Sequence, residues 1–280
     1  MPELVHGKAV AVAPGVRRVT AANPGVMTGA GTNTYLLGER EVAVVDPGPD
    51  MPLHVRSILA AIEEGGGELA RIFATHTHID HSPATASLLQ HRKVEVVGAL
   101  AGDNMFQDEH FAPDVECVHN QLFETDEYRL RCVATPGHVS NHFCFLEENS
   151  GLMMTGDHIM NGSTVVIVPP SGDMAAYIQS LQLLLDYSMT HLAPGHGDLM
   201  ENPAGVVQWL VEHRLGRETK VVGVLKQHMR ASIEELLPEV YDDVPEDVHP
   251  VARLSLMAHL IKLEQEQRAR REGDLWIFLR

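Results

Sequence analysis

Four times in this chain a short apolar run leads to residues that bind metal ions, three times across a tight Gly turn and once directly. The first case is Ala74-Thr-His76-Thr-His78-Ile-Asp80-His81. His76 and His78 are two apart, so in an extended chain both imidazoles leave the same face. Asp80 and His81 reach the same place only if the chain turns after His78. The other three cases are Val133-Ala-Thr-Pro-Gly-His138, Leu152-Met-Met-Thr-Gly-Asp157 and His191-Leu-Ala-Pro-Gly-His196. Glycine lets the backbone approach closely and aim the next side chain back across the strand ends. A lone Pro-Gly-His is an ordinary turn. Four such units in series demand a fold that gathers several strand ends at one edge.

The rest of the chain fits that demand as far as about residue 204. Apolar, β-branched runs at Thr34–Leu37, Val42–Val45, Arg71–Ala74, Val94–Val97, Leu130–Ala134, Phe143–Leu146, Leu152–Met154, Val165–Val168 and His191–Ala193 read as strands. Helices are expected over His54–Glu64 and over Met174–Asp186, the latter capped by Asp173. This is an α/β arrangement. Beyond Pro203 the strand signals nearly vanish. Helices are expected over Val206–His213, Arg217–His228, Ile233–Val240 (opened by the capping box Ser232-x-x-Glu235) and Val251–Gln267. The last has Pro250 at its start and a stripe of Leu254, Met257, Ala258, Ile261 and Leu263. A turn at 270–274 then leads into a terminal strand, Leu275–Leu279. The expected division is 1–204 and 205–280, the second part resembling a winged-helix module.

Charge and cysteine usage narrow the chemistry. The net charge is −17, which disfavours a surface that grips phosphate backbones throughout. Three scattered cysteines form neither a disulfide framework nor a CxxC pair. The first 19 residues lack the apolar core of a signal peptide, and no run approaches a membrane span, so a cytoplasmic protein without membrane contact is expected. There is no GxSxG elbow, and no cysteine lies in the four motifs, so neither a serine nor a cysteine nucleophile is expected. The 17 histidines are an excess that the five at ligand positions, His76, His78, His81, His138 and His196, explain only in part. Among the others, His54 and His259 read as surface or helix residues.

With its HxHxDH motif followed by His138, Asp157 and His196, and with Val45-Asp46-Pro47-Gly48 ahead of it, the chain resembles the metallo-β-lactamase-fold hydrolases over residues from about 25 to 204. The helical tail extends the likeness to a subgroup with a winged-helix-like C-terminus, which includes a mitochondrial endoribonuclease. The resemblance implies an αββα sandwich with metals at one edge of two sheets. It implies two Zn²⁺, the first on His76, His78 and His138, the second on Asp80, His81 and His196, with Asp157 bridging. Asp80 would also orient the attacking hydroxide, and so act in catalysis.

Four further residues are candidates near such a site. Asp46 is read either as a partner for a ligating histidine N–H or as a strand-end turn residue. His142 is either a substrate contact or a hydrogen-bonded structural residue. Ser163 and Thr164 either face substrate or belong to an ordinary loop. Arg268, Arg270 and Arg271 form a basic stretch diluted by Glu264, Glu266 and Glu272. The leading expectation is a hydrolase of a small ester, thioester or lactone. The alternatives are a single-stranded RNA endonuclease and, using iron, an enzyme resembling the persulfide dioxygenases. The tail helices are also a candidate surface for homodimerisation.

The charge is unevenly shared. Residues through 204 hold 10 basic and 25 acidic side chains, and the remainder 11 and 13. Two Zn²⁺ would reverse the sign locally where Asp80 and Asp157 converge, which leaves an anionic substrate admissible there.

Overall fold

The computed structural model describes residues 5–102 and 106–279, so the first four residues of the stretch read for a signal peptide lie outside it. Two compact units emerge. One comprises Met1–Thr135, Asn141–Val165 and Tyr187–Pro203, and the other Pro136–Ser140, Val166–Asp186 and Ala204–Arg280.

The first unit is built on two sheets. One runs, in spatial order, β1 (Ala9–Ala13), β2 (Val16–Thr20), β3 (Asn33–Leu37), β4 (Glu41–Val45), β5 (Glu68–Phe73), β6 (Glu95–Gly98) and β7 (Val115–Glu116). It is antiparallel as far as β4 and parallel from β4 to β7. The other sheet contains β8 (Leu122–Glu124), β9 (Arg129–Ala134), β10 (Phe143–Glu147), β11 (Leu152–Gly156), β12 (His191–Pro194) and β13 (Met200–Glu201), in that spatial order. Strands buried on both faces read as continuous apolar runs, and the period-2 pleat divides them between two layers. Ala43, Val45, Phe73 and Val97 point into the core shared with Leu130, Cys132 and Phe145 of the second sheet. Val42, Val44, Ile72 and Val96 point the other way, onto Ile58 and Ile62 of α1 (Pro52–Glu64) and Leu88 of α2 (Ala84–His91).

The sheets are fastened together where β5 and β12 end. Phe143 N donates to Thr75 O at 2.8 Å, and Asn33 N to Gly195 O at 2.7 Å. The Asn33 amide adds a bond to Pro194 O at 3.0 Å. The turns that carry the metal-type residues leave from this seam.

The second unit contains α3 (Met174–Leu184), α4 (Pro203–His228, which begins at the last residue of the first unit), β14 (Arg230–Ser232), α5 (Ile233–Val240), α6 (His249–Gln265), β15 (Ala269–Glu272) and β16 (Leu275–Phe278). Asp173 caps α3 by accepting from Ala176 N at 2.8 Å, and both arms of the Ser232/Glu235 capping box are formed. A three-stranded antiparallel sheet, β14-β16-β15, buries Trp276 against Leu236, Leu256 and Leu260.

Several expectations need correction. Val165–Val168 is not a strand: it is irregular, runs into Pro169 and Pro170, and its carbonyls at Val166 and Val168 accept from His138 Nδ1 and Gly172 N. The two helices expected over 206–228 are one, since Gly216 is carried inside α4 on an exposed face. On α6 the buried face is centred on Ala252, Leu256, Leu260 and Leu263, with Leu254, Met257 and Ile261 at its margin. His54 and His259 lie on helices, α1 and α6, as one of their two readings has it, but on the buried faces and not at the surface.

His259 belongs to a buried ionic cluster. Glu218 on α4 meets Lys262 at 2.7 Å and Arg268 at 2.9 Å, and its side chain is 7% exposed. Burial alone would raise the Glu218 carboxyl, but His259 and Lys262 outweigh it and push it down to about 2. That contribution to stability is complete above the ordinary value of 4.5 and is lost as pH falls through about 2. Removing one partner of a buried pair strands the other. Glu218→Ala should therefore cost about 3 kcal/mol of unfolding free energy in urea. An unchanged midpoint would show the cluster to be energetically neutral.

Candidate metal centre

The first motif leaves the end of β5, with Ala74 and Thr75 completing the exit. His76 is fully buried and His78 half-buried. Asp157 follows β11 directly, and His196 follows β12 after Gly195. Ligand atoms of His76, His78 and Asp157 lie within 4.8 Å of one another, and so do those of Asp80, His81 and His196. Asp157 also faces the second set, at 3.4 Å from His81 Nε2 and 3.3 Å from His196 Nε2.

The spacing of these atoms is diagnostic. Four ligands at roughly 2.0 Å from one ion stand about 3.3 Å apart along a tetrahedral edge. His76 Nε2 and His78 Nδ1 are 3.1 Å apart, and His196 Nε2 is 3.2 Å from Asp80 Oδ2. Two imidazole nitrogens face to face make at best one poor hydrogen bond, but they share a cation well. His81 Nε2 is buried with no hydrogen bond of its own. The donors, imidazole and carboxylate, suit a divalent ion such as zinc.

Each histidine is aimed by its second nitrogen. His81 Nδ1 meets Asp46 Oδ2 at 3.0 Å, and His196 Nδ1 meets Gly31 O at 3.2 Å. His76 Nδ1 lies 3.0 Å from Thr75 Oγ1. That hydroxyl donates its only proton to Asp46 Oδ2 at 2.8 Å, so it accepts from His76 Nδ1–H. Thr75 N adds a bond to Asp46 Oδ1 at 2.7 Å. Asp46 thus orients His81 directly and His76 through Thr75. It is buried and adopts a left-handed φ of 51°, which Asp tolerates better than most residues. Asp46 is at once a strand-end residue with a left-handed backbone and a hydrogen-bond partner of His81.

His138 lies in the second unit, buried, with Nδ1–H donating to Val166 O at 2.8 Å, so in the neutral ring Nε2 is the nitrogen that carries the lone pair. His142 is buried, with Nδ1 2.9 Å from Thr135 Oγ1 and its ring 5.1 Å from that of His76. Ser163 is exposed and Thr164 half-buried in an irregular stretch. Thr75 and the carbonyls of Gly31 and Val166 escaped the sequence reading. A Thr beside a ligand-type His was the only available signal, and the carbonyls had none. Gly195 is required by space, since a Cβ there would stand 2.6 Å from His81 Cε1.

Charges are strongly coupled. Burial would depress His81, but Asp157, Asp80 and Asp46 hold it well above the ordinary imidazole value. Burial opposes His196 likewise, yet Asp157 and Asp80 lift it to about 9. Burial would raise Asp157, but His196 and His81 keep it well below the usual carboxylate range. A largely buried site this rich in anions is built for cations. The wing arginines are otherwise engaged: Arg268 with Glu218 and Glu266, Arg270 with Glu272, and Arg271 with Gly273 O.

Comparisons with known proteins agree with this geometry. A profile described as the metallo-beta-lactamase superfamily matches residues 27–196, and one described as the beta-lactamase associated winged helix domain matches 232–276. A beta-lactamase-like protein 2 homolog from Drosophila melanogaster is 29% identical, covering 91% of this chain and 89% of that one. An atrochrysone carboxyl ACP thioesterase from Aspergillus chevalieri is 29% identical, covering 92% and 83%. A beta-lactamase domain protein from Burkholderia ambifaria, 19% identical, shares the fold with a TM-score of 0.82 over 99% of this chain and 95% of its own. Among the described residues no helix is long and apolar enough to cross a membrane. The chain belongs to the metallo-beta-lactamase superfamily, as a metal-dependent hydrolase with an αββα fold and an associated winged helix domain.

Proposed function

We propose that this protein is a dinuclear zinc hydrolase of a small ester, thioester or lactone. The observation that carries the reading is the tetrahedral-edge spacing of the two donor sets, 3.1 Å in the first and 3.2 Å in the second. In this reading His138 joins His76, His78 and Asp157 around one ion, and Asp80, His81 and His196 hold the other, with Asp157 reaching both. Residues 1–204 are the catalytic domain and 205–280 the winged-helix-like one. The free, buried thiols of Cys117, Cys132 and Cys144 suit a reducing, cytoplasmic setting.

Zinc bound here would supply Lewis acidity toward a scissile carbonyl and a nucleophile active near neutral pH. The protein supplies the positioning. Asp80, with 23% of its side chain exposed, is the more open of the two carboxylates, and Asp157 has 12%. Burial and the charge of Asp157 would raise the Asp80 carboxyl, but His81 and His196 outweigh them, so its pKa is lowered and it stays ionised. It therefore accepts a hydrogen bond from the attacking water and fixes its direction. Asp46 and Thr75 hold His81 and His76 with their ligating nitrogens inward. The relative named as a thioesterase supports the acyl class of substrate.

The test is metal analysis followed by turnover on thioester, ester, lactone, phosphodiester and short RNA substrates. About two zinc ions per chain and chelator-sensitive acyl hydrolysis are expected. Efficient RNA cleavage with every acyl substrate ignored would overturn the reading. A single iron with persulfide consumption would also do so.

Loading should release protons. With folded values raised, His81 and His196 are protonated in the metal-free protein at pH 7. Their contribution to metal-free stability is complete below the ordinary 6.5 and, for His196, lost as pH rises through about 9. Zinc must displace both protons, so calorimetry in two buffers should report about two released per chain at pH 7. No release would mean that the histidines are neutral beforehand.

A further inference from the structure

An exposed apolar lip borders the first metal motif. Ile79, between His78 and Asp80, is 60% exposed, and Phe106 is 63% exposed. Phe106 stands at the head of a strap that is bound to the motif along its length. Ile79 N donates to Phe106 O at 3.1 Å, and Asp108 N to Thr77 O at 2.6 Å. Thr77 Oγ1 donates to Gln107 Oε1 at 2.6 Å, and Ser82 Oγ to Asp108 Oδ2 at 2.9 Å. Asn141 buttresses Thr77 from behind at 2.8 Å.

Two costs stand out at Phe106. Its backbone has a φ of 60°, the left-handed region that bulky residues avoid. Its ring stays in water instead of joining a core. Folding gains nothing from either. Strain and exposure of this kind, fixed by buried hydrogen bonds beside a reactive centre, mark a surface kept for a ligand. The strap also carries Asp108 and the exposed Glu109, so the occupant is neutral and apolar, not a polyanion.

We propose that Ile79 and Phe106 form the subsite for the apolar acyl chain of the substrate, and so set chain-length preference. The inference rests on the acyl-hydrolase reading above. The lip is contiguous with the metal donors through Ile79 itself. An acyl carbon chain running outward from the carbonyl meets Ile79 first and the Phe106 ring beyond it. Each methylene buried there is worth about fourfold in binding.

The experiment compares kcat/KM for acetyl, butyryl and octanoyl esters of one neutral alcohol. Wild-type protein should favour octanoyl over acetyl by tenfold or more, on the order expected for a few partly buried methylenes. Phe106→Ala should cut the octanoyl value about tenfold and the acetyl value by less than about twofold, flattening the dependence on chain length. Ile79→Ala should flatten it too, and Phe106→Leu should restore most of the slope, which separates contact from damage to the fold. Parallel lines for wild type and both alanine variants would overturn the proposal. If wild-type protein hydrolyses no acyl substrate, the reading of function fails. The lip is then judged alone, by binding of the neutral fluorophore N-phenyl-1-naphthylamine to wild type and to Phe106→Ala. Loss of binding in the variant supports it, and equal or absent binding in both overturns it.

Discussion

His76→Ala protein should lose turnover by about a thousandfold or more, because an ion in such a site contributes several kcal/mol of transition-state stabilisation. Zinc content should fall from about two per chain to one or fewer. The reason is local. His76 has no exposed surface, and its Nε2 lies 3.1 Å from the donor nitrogen of His78. Its ring centroid is 4.2 Å from that of His81, so both donor sets lean on it. Alanine removes a ligand and also the wall that aligns His81. His91→Ala, at an exposed helix end, serves as the control and should change neither quantity. Normal zinc content with normal turnover in His76→Ala would refute the donor assignment.

Asp46→Asn tests the support beneath the donors, and it should weaken zinc binding by about 10–100-fold. Asn keeps the size of Asp and tolerates the same left-handed backbone, so the φ of 51° is preserved. The change falls on Oδ2, which accepts from both His81 Nδ1 and Thr75 Oγ1. An amide NH₂ in that place opposes both donors. Relief comes if His81 moves its proton to Nε2, the nitrogen that should face the metal. Competition with a chromogenic chelator measures the loss, and an unchanged circular dichroism spectrum shows that the fold is retained. Wild-type affinity would mean that His81 needs no carboxylate behind it.

The donors were legible because their chemistry is local. His76, His78, Asp80 and His81 lie within six residues, and each distant donor follows its own strand and turn. Asp46 was half legible: its place at a strand end was plain, but a bond to His81 across 35 residues depends on β4 and β5 being neighbours. The Phe106 strap was invisible, since nothing in a single chain pairs residue 106 with residue 79. The helical place of His54 is legible but its burial is not, because its partner, Thr34 at 2.9 Å, comes from a strand 20 residues earlier. Val165–Val168 was misread because β-branching marks extended backbone, and extended backbone need not join a sheet. The sheets themselves were largely legible in their buried middle strands. The edge strands β1, β8 and β15 were not: β1 has no polar residue to mark an alternation, β8 is only three residues long, and β15, Ala-Arg-Arg-Glu, is almost wholly polar.

The strap is fastened to the motif through main-chain atoms, those of Ile79 and Phe106 included, and a few polar side chains, while the side chains of Phe106 and Ile79 are largely exposed. Substitutions at those two positions are therefore decoupled from the metal donors. A lineage carrying this scaffold can change its diet by altering a pair of side chains, with the reactive machinery inherited intact. Relatives with different substrates should then diverge at the lip sooner than at Asp46 or Thr75.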